Sequence, residues 1–328
     1  MKLAIISDPE RYEKFAPADA RAYWESASFF PLDAAPREIA AACPDAEVLL
    51  VDAIAQVPAE LIEALPRLKV IHSEGVAYNG IDCAAAARAG VLVCNNKGGN
   101  AGAVAEQVIM LMLGLLRTVV PGHLAVLAGE QIARKEHLIL KGITDLQDCT
   151  VGLLGFGDIA QATAARLTPF GCKVAYWSRH RHDEAAGRLG VEYRALDDLL
   201  AQADIVSLHM AVTDQTIGFI GSERLAAMRP GAALINTARG ELIDNEALVA
   251  ALADGHLGAA AFDTIAPEPV SADNPVVAYA KDHPEQVLLA PHIGGVTIGS
   301  FKRMQAHMWE NVRRVAAGER PDCIVNGR

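Results

Sequence analysis

Three segments late in the chain carry residues able to do chemistry: NTARGELID (236–244), AAAFDTIAPEP (259–269) and LLAPHIGG (288–295). They present Arg239, Glu268 and His292. The planar guanidinium fork of an arginine matches a carboxylate bidentately. A histidine gives or takes a proton near neutral pH, and a neighbouring carboxylate can orient its ring. Singly, each has a bland reading: a salt-bridged arginine, an exposed glutamate before proline, a space-filling histidine. Together, each following an apolar strand-like run, they suggest a clamp, an orienting carboxylate and a proton carrier, because open α/β sheets build sites beyond the carboxyl ends of their strands.

Upstream, VGLLGFGDIAQATAARL (151–167) holds Gly155 and Gly157, with Ala160 completing Gly-x-Gly-x-x-Ala. The first glycine permits a tight turn out of a strand, the second a close backbone approach to a pyrophosphate, and the small third residue close helix–sheet packing. Phe156, Asp158 and Ile159 fill the turn, and the helix that it opens offers unpaired N–H groups to phosphates. Alone the motif is weak. Here an apolar strand precedes it, an amphipathic helix follows, and a second strand, KVAYW (173–177), comes at the right distance, which is the context that a dinucleotide site requires. An acidic residue after that second strand would bind the adenosine ribose of NAD. The position falls instead on Ser178, followed by Arg179, His180, Arg181 and His182. Without the carboxylate nothing repels a 2′-phosphate, and an arginine can bind it. NADP(H) is therefore the expected cofactor, with NAD(H) as the alternative. The bland reading of such a basic run is a solvated loop.

The elements that must position these residues read as alternating strands and helices, hence parallel sheets covered by helices. A first set of strands runs 3–7, 48–52, 69–73 and 91–95. A second runs 151–154, 173–177, 205–209, 233–237, 259–263 and 287–291. Helical segments lie between them, for example 35–42 and 82–89. A helix N-capped by Asn100 and running to about Val119 is apolar nearly all round, and another spans about 297–317. The fold class is α/β, with two Rossmann- or flavodoxin-like domains. The nucleotide domain (100–295) is inserted into a substrate domain made of 1–99 and 296–328.

Composition narrows the function classes. The 328 residues carry 29 Lys+Arg against 40 Asp+Glu, a net charge of −11, which suits a nucleic-acid binder poorly. The longest apolar run, Val108 to Leu116, is short of the roughly 20 residues that span a bilayer, so no membrane partner is expected. MKLAIIS reads as a first strand rather than a signal peptide. Six cysteines at 43, 83, 94, 149, 172 and 323 show no Cys-x-x-Cys pairing. No metal site is expected, and reduced thiols in a cytoplasmic protein is the plain reading.

Over nearly its whole length the chain resembles the D-isomer-specific 2-hydroxyacid dehydrogenase family. The matching stretches are NNKGGNAGAVAEQ (95–107), VGLLGFGDIA (151–160), ADIVSLHMAVTDQT (203–216), MRPGAALINTARGELID (228–244), AAAFDTIAPEP (259–269) and APHIGG (290–295). The resemblance implies that Arg239 binds the substrate carboxylate and helps to polarise its oxo group. His292 would be the acid in reduction and the base in oxidation, with Glu268 holding its imidazole and favouring the charged form. Asp263 would hold the nicotinamide carboxamide. His209, Thr216, Thr237, Ala238 and Gly295 join the cofactor-binding positions, and the backbone around Glu74, Gly75 and Val76, in HSEGVAYNGID (72–82), would receive the substrate carboxylate. The family also implies a homodimer, through helix 101–119 unless that helix is buried within its own chain. Two departures bear on specificity: Lys97 stands where the family commonly has proline, and GEQIARKEHLILKG (129–142) lacks a tryptophan often found there. WSR (177–179) resembles NADPH-dependent glyoxylate and hydroxypyruvate reductases, so small 2-oxo acids reduced to D-2-hydroxy acids lead the expectations. Two alternatives stay open: a formate or phosphite dehydrogenase on the same scaffold, and a non-catalytic cofactor-sensing protein like the transcriptional corepressors that share the fold.

Overall fold

The structure, a computed structural model, describes residues 1–327. Twelve short strands form two sheets. The first contains β1 (Leu3–Ile6), β2 (Ser28–Phe30), β3 (Val48–Val51), β4 (Val70–Ser73) and β5 (Leu92–Cys94), in the order β2-β1-β3-β4-β5. The second contains β6 (Thr150–Leu154), β7 (Lys173–Trp177), β8 (Glu192–Tyr193), β9 (Ile205–Leu208), β10 (Ala233–Asn236), β11 (Ala259–Phe262) and β12 (Val287–Leu289), in the order β12-β11-β10-β9-β6-β7-β8. Every pairing within both sheets is parallel. Parallel strands are covered on both faces, so they read as continuous apolar runs, and β1, β3, β4, β9 and β10 are buried at every position.

The chain divides into two compact units, Met1–Asn100 together with the chain from Val296 onward, and Ala101–Gly295. In the first unit, helix Ile298–Ala316 lays Met308, Trp309 and Val312 on Leu3, Ile5, Val48 and Leu50 of the sheet. Thr297 caps that helix by accepting the Ser300 N–H at 3.0 Å. The opposite sheet face buries Ala4, Ile6, Leu49, Val51 and Ile71 with Ile39 and Leu61 from the covering helices.

In the second unit the chain runs from β6 outward to β7 and β8, then returns to place β9 on the other side of β6. Ligands bind at such a reversal, beyond the strand ends. Helix Ala101–Leu116 packs on helix Asp158–Leu167 and on the sheet, with Val108 and Leu111 fully buried. It ends three residues short of the expected Val119. Thr118 adopts a left-handed conformation (φ 46°), and a separate helix, Val119–Leu127, leaves at a 57° bend. Among the described residues no single helix is long and apolar enough to cross a membrane.

Candidate active site

The candidate reacting side chains of the second unit sit in the loops that leave β10, β11 and β12. After β10, Asn236 closes a tight turn: its Oδ1 accepts the Ala238 N–H at 3.0 Å and its Nδ2 donates to Arg239 O at 2.8 Å. Arg239 is half-buried, donates from one guanidinium nitrogen to Ala238 O at 2.7 Å, and makes no salt bridge among the described residues. Its remaining donors are thus uncommitted, unlike those of a structural arginine. Gly240 lies so close to the β11 loop that a Cβ would meet Ala266 N at 2.0 Å. Only glycine lets these two loops touch. Ala266 O in turn accepts from Asn245 Nδ2 (2.9 Å) and Asn274 Nδ2 (3.0 Å), which fixes the segment leading to Glu268.

Glu268 and His292 come together. His292 Nδ1 lies 2.9 Å from Oε1 and 3.0 Å from Oε2 of Glu268, and both side chains are nearly half exposed. A carboxylate only accepts, so the pair holds the proton on Nδ1 and turns Nε2 outward as the exchanging nitrogen. His292 itself adopts a left-handed conformation, φ 55°.

Asp263, buried at the end of β11, accepts the Ile293 N–H at 2.9 Å on Oδ1 and the Gly294 N–H at 2.7 Å on Oδ2. Gln107 Nε2 reaches Oδ1 at 3.3 Å. Both oxygens thus hold the histidine loop, and a nicotinamide carboxamide would share them rather than find them free. Gly295 follows directly, half-buried.

At the dinucleotide turn Gly155 has φ 94°, and a Cβ there would meet His209 O at 2.5 Å, so the β6 and β9 loops meet only because this residue is glycine. A Cβ on Gly157 would meet nothing within 4 Å, so the space that a phosphate needs is open there. Asp158 and Ile159 begin the helix, while Ala160 is fully buried against the sheet. Phe156 does not face the turn's outer side: it is buried and stacks on Tyr176 with ring centroids 3.9 Å apart. His209 is half-buried, its Nε2 3.0 Å from Ser207 Oγ, and desolvation of the ring lowers its pKa to about 3, so the ring is neutral. Thr237 is buried, and its hydroxyl has no partner among the described residues.

A cavity of about 260 Å³ opens beside the turn, lined by Gly155, Ser178, Arg179, His180, His182 and Thr216 among others, with no carboxylate in its wall. Ser178 Oγ donates to His180 O, which folds the basic loop back on itself. Arg181, grouped with Arg179 on sequence, goes elsewhere. Its Nε bonds Asp183 Oδ1 at 2.9 Å, and its guanidinium lies 4.7 Å from the Tyr193 ring centre. Thr216 Oγ1 donates to Ala211 O at 2.8 Å, so the hydroxyl is spent on its own turn.

In the first unit, the loop after β4 carries Glu74, Gly75 and Val76. Two of their three backbone N–H groups are already committed: Glu74 N to Val51 O at 2.7 Å, and Gly75 N to Ser73 Oγ at 3.2 Å. Only the Val76 N–H makes no hydrogen bond among the described residues, and the next residue, Ala77, shares that property. The Glu74 side chain points inward, accepting from Ser7 Oγ (3.0 Å) and Tyr12 Oη, with Arg11 Nη1 at 3.7 Å. Burial pushes its pKa up to about 7.

Residues 109–294 match the family profile described as D-isomer specific 2-hydroxyacid dehydrogenase, NAD binding domain. The chain belongs to this family. It is 36% identical over 283 residues to a glyoxylate reductase of Thermofilum pendens, covering 86% of this chain and 82% of that one. A D-3-phosphoglycerate dehydrogenase of Mycobacterium tuberculosis is 34% identical over 320 residues, 96% of this chain. The match spans only 58% of the mycobacterial enzyme's length. Among solved structures, D-lactate dehydrogenase with NAD⁺ from Lactobacillus jensenii superposes with a TM-score of 0.83 at 26% identity, covering 99% of each chain.

The structure adds positions that the sequence motifs did not single out: Ala77 in the first unit, and Gln107, Asn236, Asn245 and Asn274 in the second. All but Gln107, whose amide donates to the Asp263 carboxylate, act through backbone groups. An asparagine closing a strand, as at Asn236, is the one signal that could have flagged any of them.

Proposed function

We propose that this chain is an NADPH-preferring reductase of small 2-oxo acids, of the glyoxylate and hydroxypyruvate type, yielding D-2-hydroxy acids. The observation that carries the reading is the Glu268–His292 pair, with Nδ1 on the carboxylate and Nε2 outward. A bound reduced nicotinamide would supply the hydride that C2 of the oxo acid receives. His292 delivers the proton to the oxo oxygen from Nε2 and recovers it in the reverse direction, while Glu268 keeps the ring in the productive tautomer. Arg239, with donors to spare, binds the substrate carboxylate and draws charge toward the oxo group. In the first unit, the Val76 N–H, unpaired among the described residues, is assigned to a substrate carboxylate. The 36% identity to a glyoxylate reductase over 86% of this chain supports the small 2-oxo acid.

The cofactor preference rests on the cavity wall. Ser178, Arg179, His180 and His182 line it with no carboxylate, a setting that accepts a 2′-phosphate and lacks the acid that a ribose diol would use. NAD(H) remains the weaker ligand.

We also assign a homodimer, but not through helix Ala101–Leu116, whose apolar side chains are largely spent inside its own unit. The exposed apolar surface lies on the next two helices, Val119–Leu127 and Gln131–Lys141. Leu127 is 71% and Leu140 87% exposed, and Val119, Leu124, Ile132 and Ile139 add to the patch. Apolar area on that scale marks an interface, and a second copy on a two-fold axis is the commonest occupant.

Three outcomes test these readings. His292→Ala should lower kcat by roughly 10²–10⁴-fold while NADPH titration stays close to wild type; full turnover would sink the assignment. In Ser178→Asp/Arg179→Ala the ratio of kcat/KM for NADPH over NADH should fall by about ten-fold or more, and an unchanged ratio would remove these residues from cofactor choice. Sedimentation equilibrium should return a dimer for the wild type and a monomer for Leu127→Glu/Leu140→Glu, whereas a monomeric wild type would end the dimer proposal.

A further inference from the structure

The loop after β4 is held by two adjacent residues that no motif singled out for a role of their own. Asn96 Nδ2 donates to Ser73 O (3.2 Å) and Glu74 O (2.8 Å), and the Asn96 backbone N–H donates to Gly75 O (2.9 Å). Asn95 Nδ2 donates to Val76 O at 2.7 Å. Four successive carbonyls, from residues 73 to 76, therefore face the Asn95–Asn96 strand end. In a trans peptide the C=O and the N–H of the next residue point in opposite directions. Fixing Gly75 O and Val76 O consequently aims the N–H groups of Val76 and Ala77 away from the asparagines, side by side. Neither finds a partner among the described residues, and successive unpaired amides of this kind form an anion-binding concavity.

Asn96 is itself set from below, whereas Asn95 Oδ1 is buried with no partner among the described residues. Carbonyl oxygens only accept, so the orientation of the Asn96 amide is fixed, and its Oδ1 must accept from His307 Nδ1 at 2.8 Å. His72 Nδ1 donates to Ser73 O at 2.8 Å, while its Nε2 accepts from Asn311 Nδ2 at 3.0 Å. Burial lowers the pKa of His72 to about 3 and also lowers that of His307, so both rings stay neutral and keep these tautomers. Helix Ile298–Ala316 supplies both His307 and Asn311, and so braces the loop from beneath.

We propose that Asn95 and Asn96 are positioning residues for the substrate carboxylate: without touching it, they hold the Val76 and Ala77 amides as a preformed anion site. The inference rests on the assignment of the carboxylate to this loop under the proposed function. A filler role would affect only stability, whereas a positioning role separates KM from kcat.

Four variants, Asn95→Ala, Asn95→Asp, Asn96→Ala and Gly75→Ala, would be assayed with glyoxylate and NADPH. Oxalate, a non-reacting carboxylate probe, would be titrated calorimetrically into the NADP⁺-saturated protein, an arm that needs no turnover. Asn95→Asp keeps the shape but replaces the donor with an acceptor. Both Asn95 variants should weaken oxalate and raise the glyoxylate KM by about ten-fold, with kcat changed far less and NADPH affinity unchanged. Should they not fold, Asn96→Ala carries the same expectation. Gly75→Ala displaces the loop by another route, since its Cβ would lie 2.6 Å from Ala53 Cβ. Weakened oxalate in Gly75→Ala alone would overturn the asparagine proposal and leave the loop assignment standing. Unchanged oxalate binding in all four would overturn the loop assignment itself.

Discussion

Much of the site depends on a single buried carboxylate. Asp263 is 3% exposed, and a buried charge is tolerated only when its lone pairs are satisfied. The groups that satisfy it are the backbone N–H donors of Ile293 and Gly294. The loop after β12 must therefore close onto the end of β11. That closure leaves His292 in the left-handed region, uncommon for a residue with a Cβ. Strain of this kind persists only where surrounding bonds over-determine it. Gly294 is required for the same reason, because a Cβ there would meet Asp263 Oδ2 at 2.9 Å. Backbone bonding to Asp263 thus delivers the imidazole to Glu268.

The other loops follow the same logic of backbone groups held by short polar side chains. Asn236 turns the chain so that Arg239 emerges with free donors, and Gly240 lets that turn press on the Glu268 segment. Gly155 lets the β6 and β9 loops meet where the strand order reverses, and both loops line the cavity beside the turn. In the first unit Asn95 and Asn96 play the corresponding part for the loop at 73–77. The strands fix where each loop starts, and a small polar residue or a glycine fixes where its functional atom points.

The fold was legible wherever burial on both sides wrote an apolar run, as in VLLV at β3 or KVAYW at β7. It was illegible at β2 (SFF) and β8 (EY), edge strands too short to show any periodicity. Helix Val119–Leu127 was not among the expected elements, and it carries Pro121 and Gly122, residue types that disfavour helix interiors. A proline in the first turn, however, costs a helix no internal hydrogen bond. In the site, Arg239, Glu268 and His292 stand out because their chemistry is in the side chain. Asn95, Asn96 and Ala77 do not, since a bond to a carbonyl or an unpaired amide leaves no trace in residue spacing. The same limit made Arg179 and Arg181 look equivalent, and only the Asp183 and Tyr193 contacts separate them.

The central claim, a reductase of small 2-oxo acids that favours NADPH, is tested most directly by one spectrophotometric panel on the wild-type protein. Glyoxylate, hydroxypyruvate, pyruvate, bulkier 2-oxo acids and the phosphorylated 2-oxo acid corresponding to 3-phosphoglycerate would each be supplied with NADPH and with NADH. The highest kcat/KM is expected for glyoxylate or hydroxypyruvate with NADPH. NADPH binding without turnover across the panel, or a clear preference for the phosphorylated substrate with NADH, would contradict it.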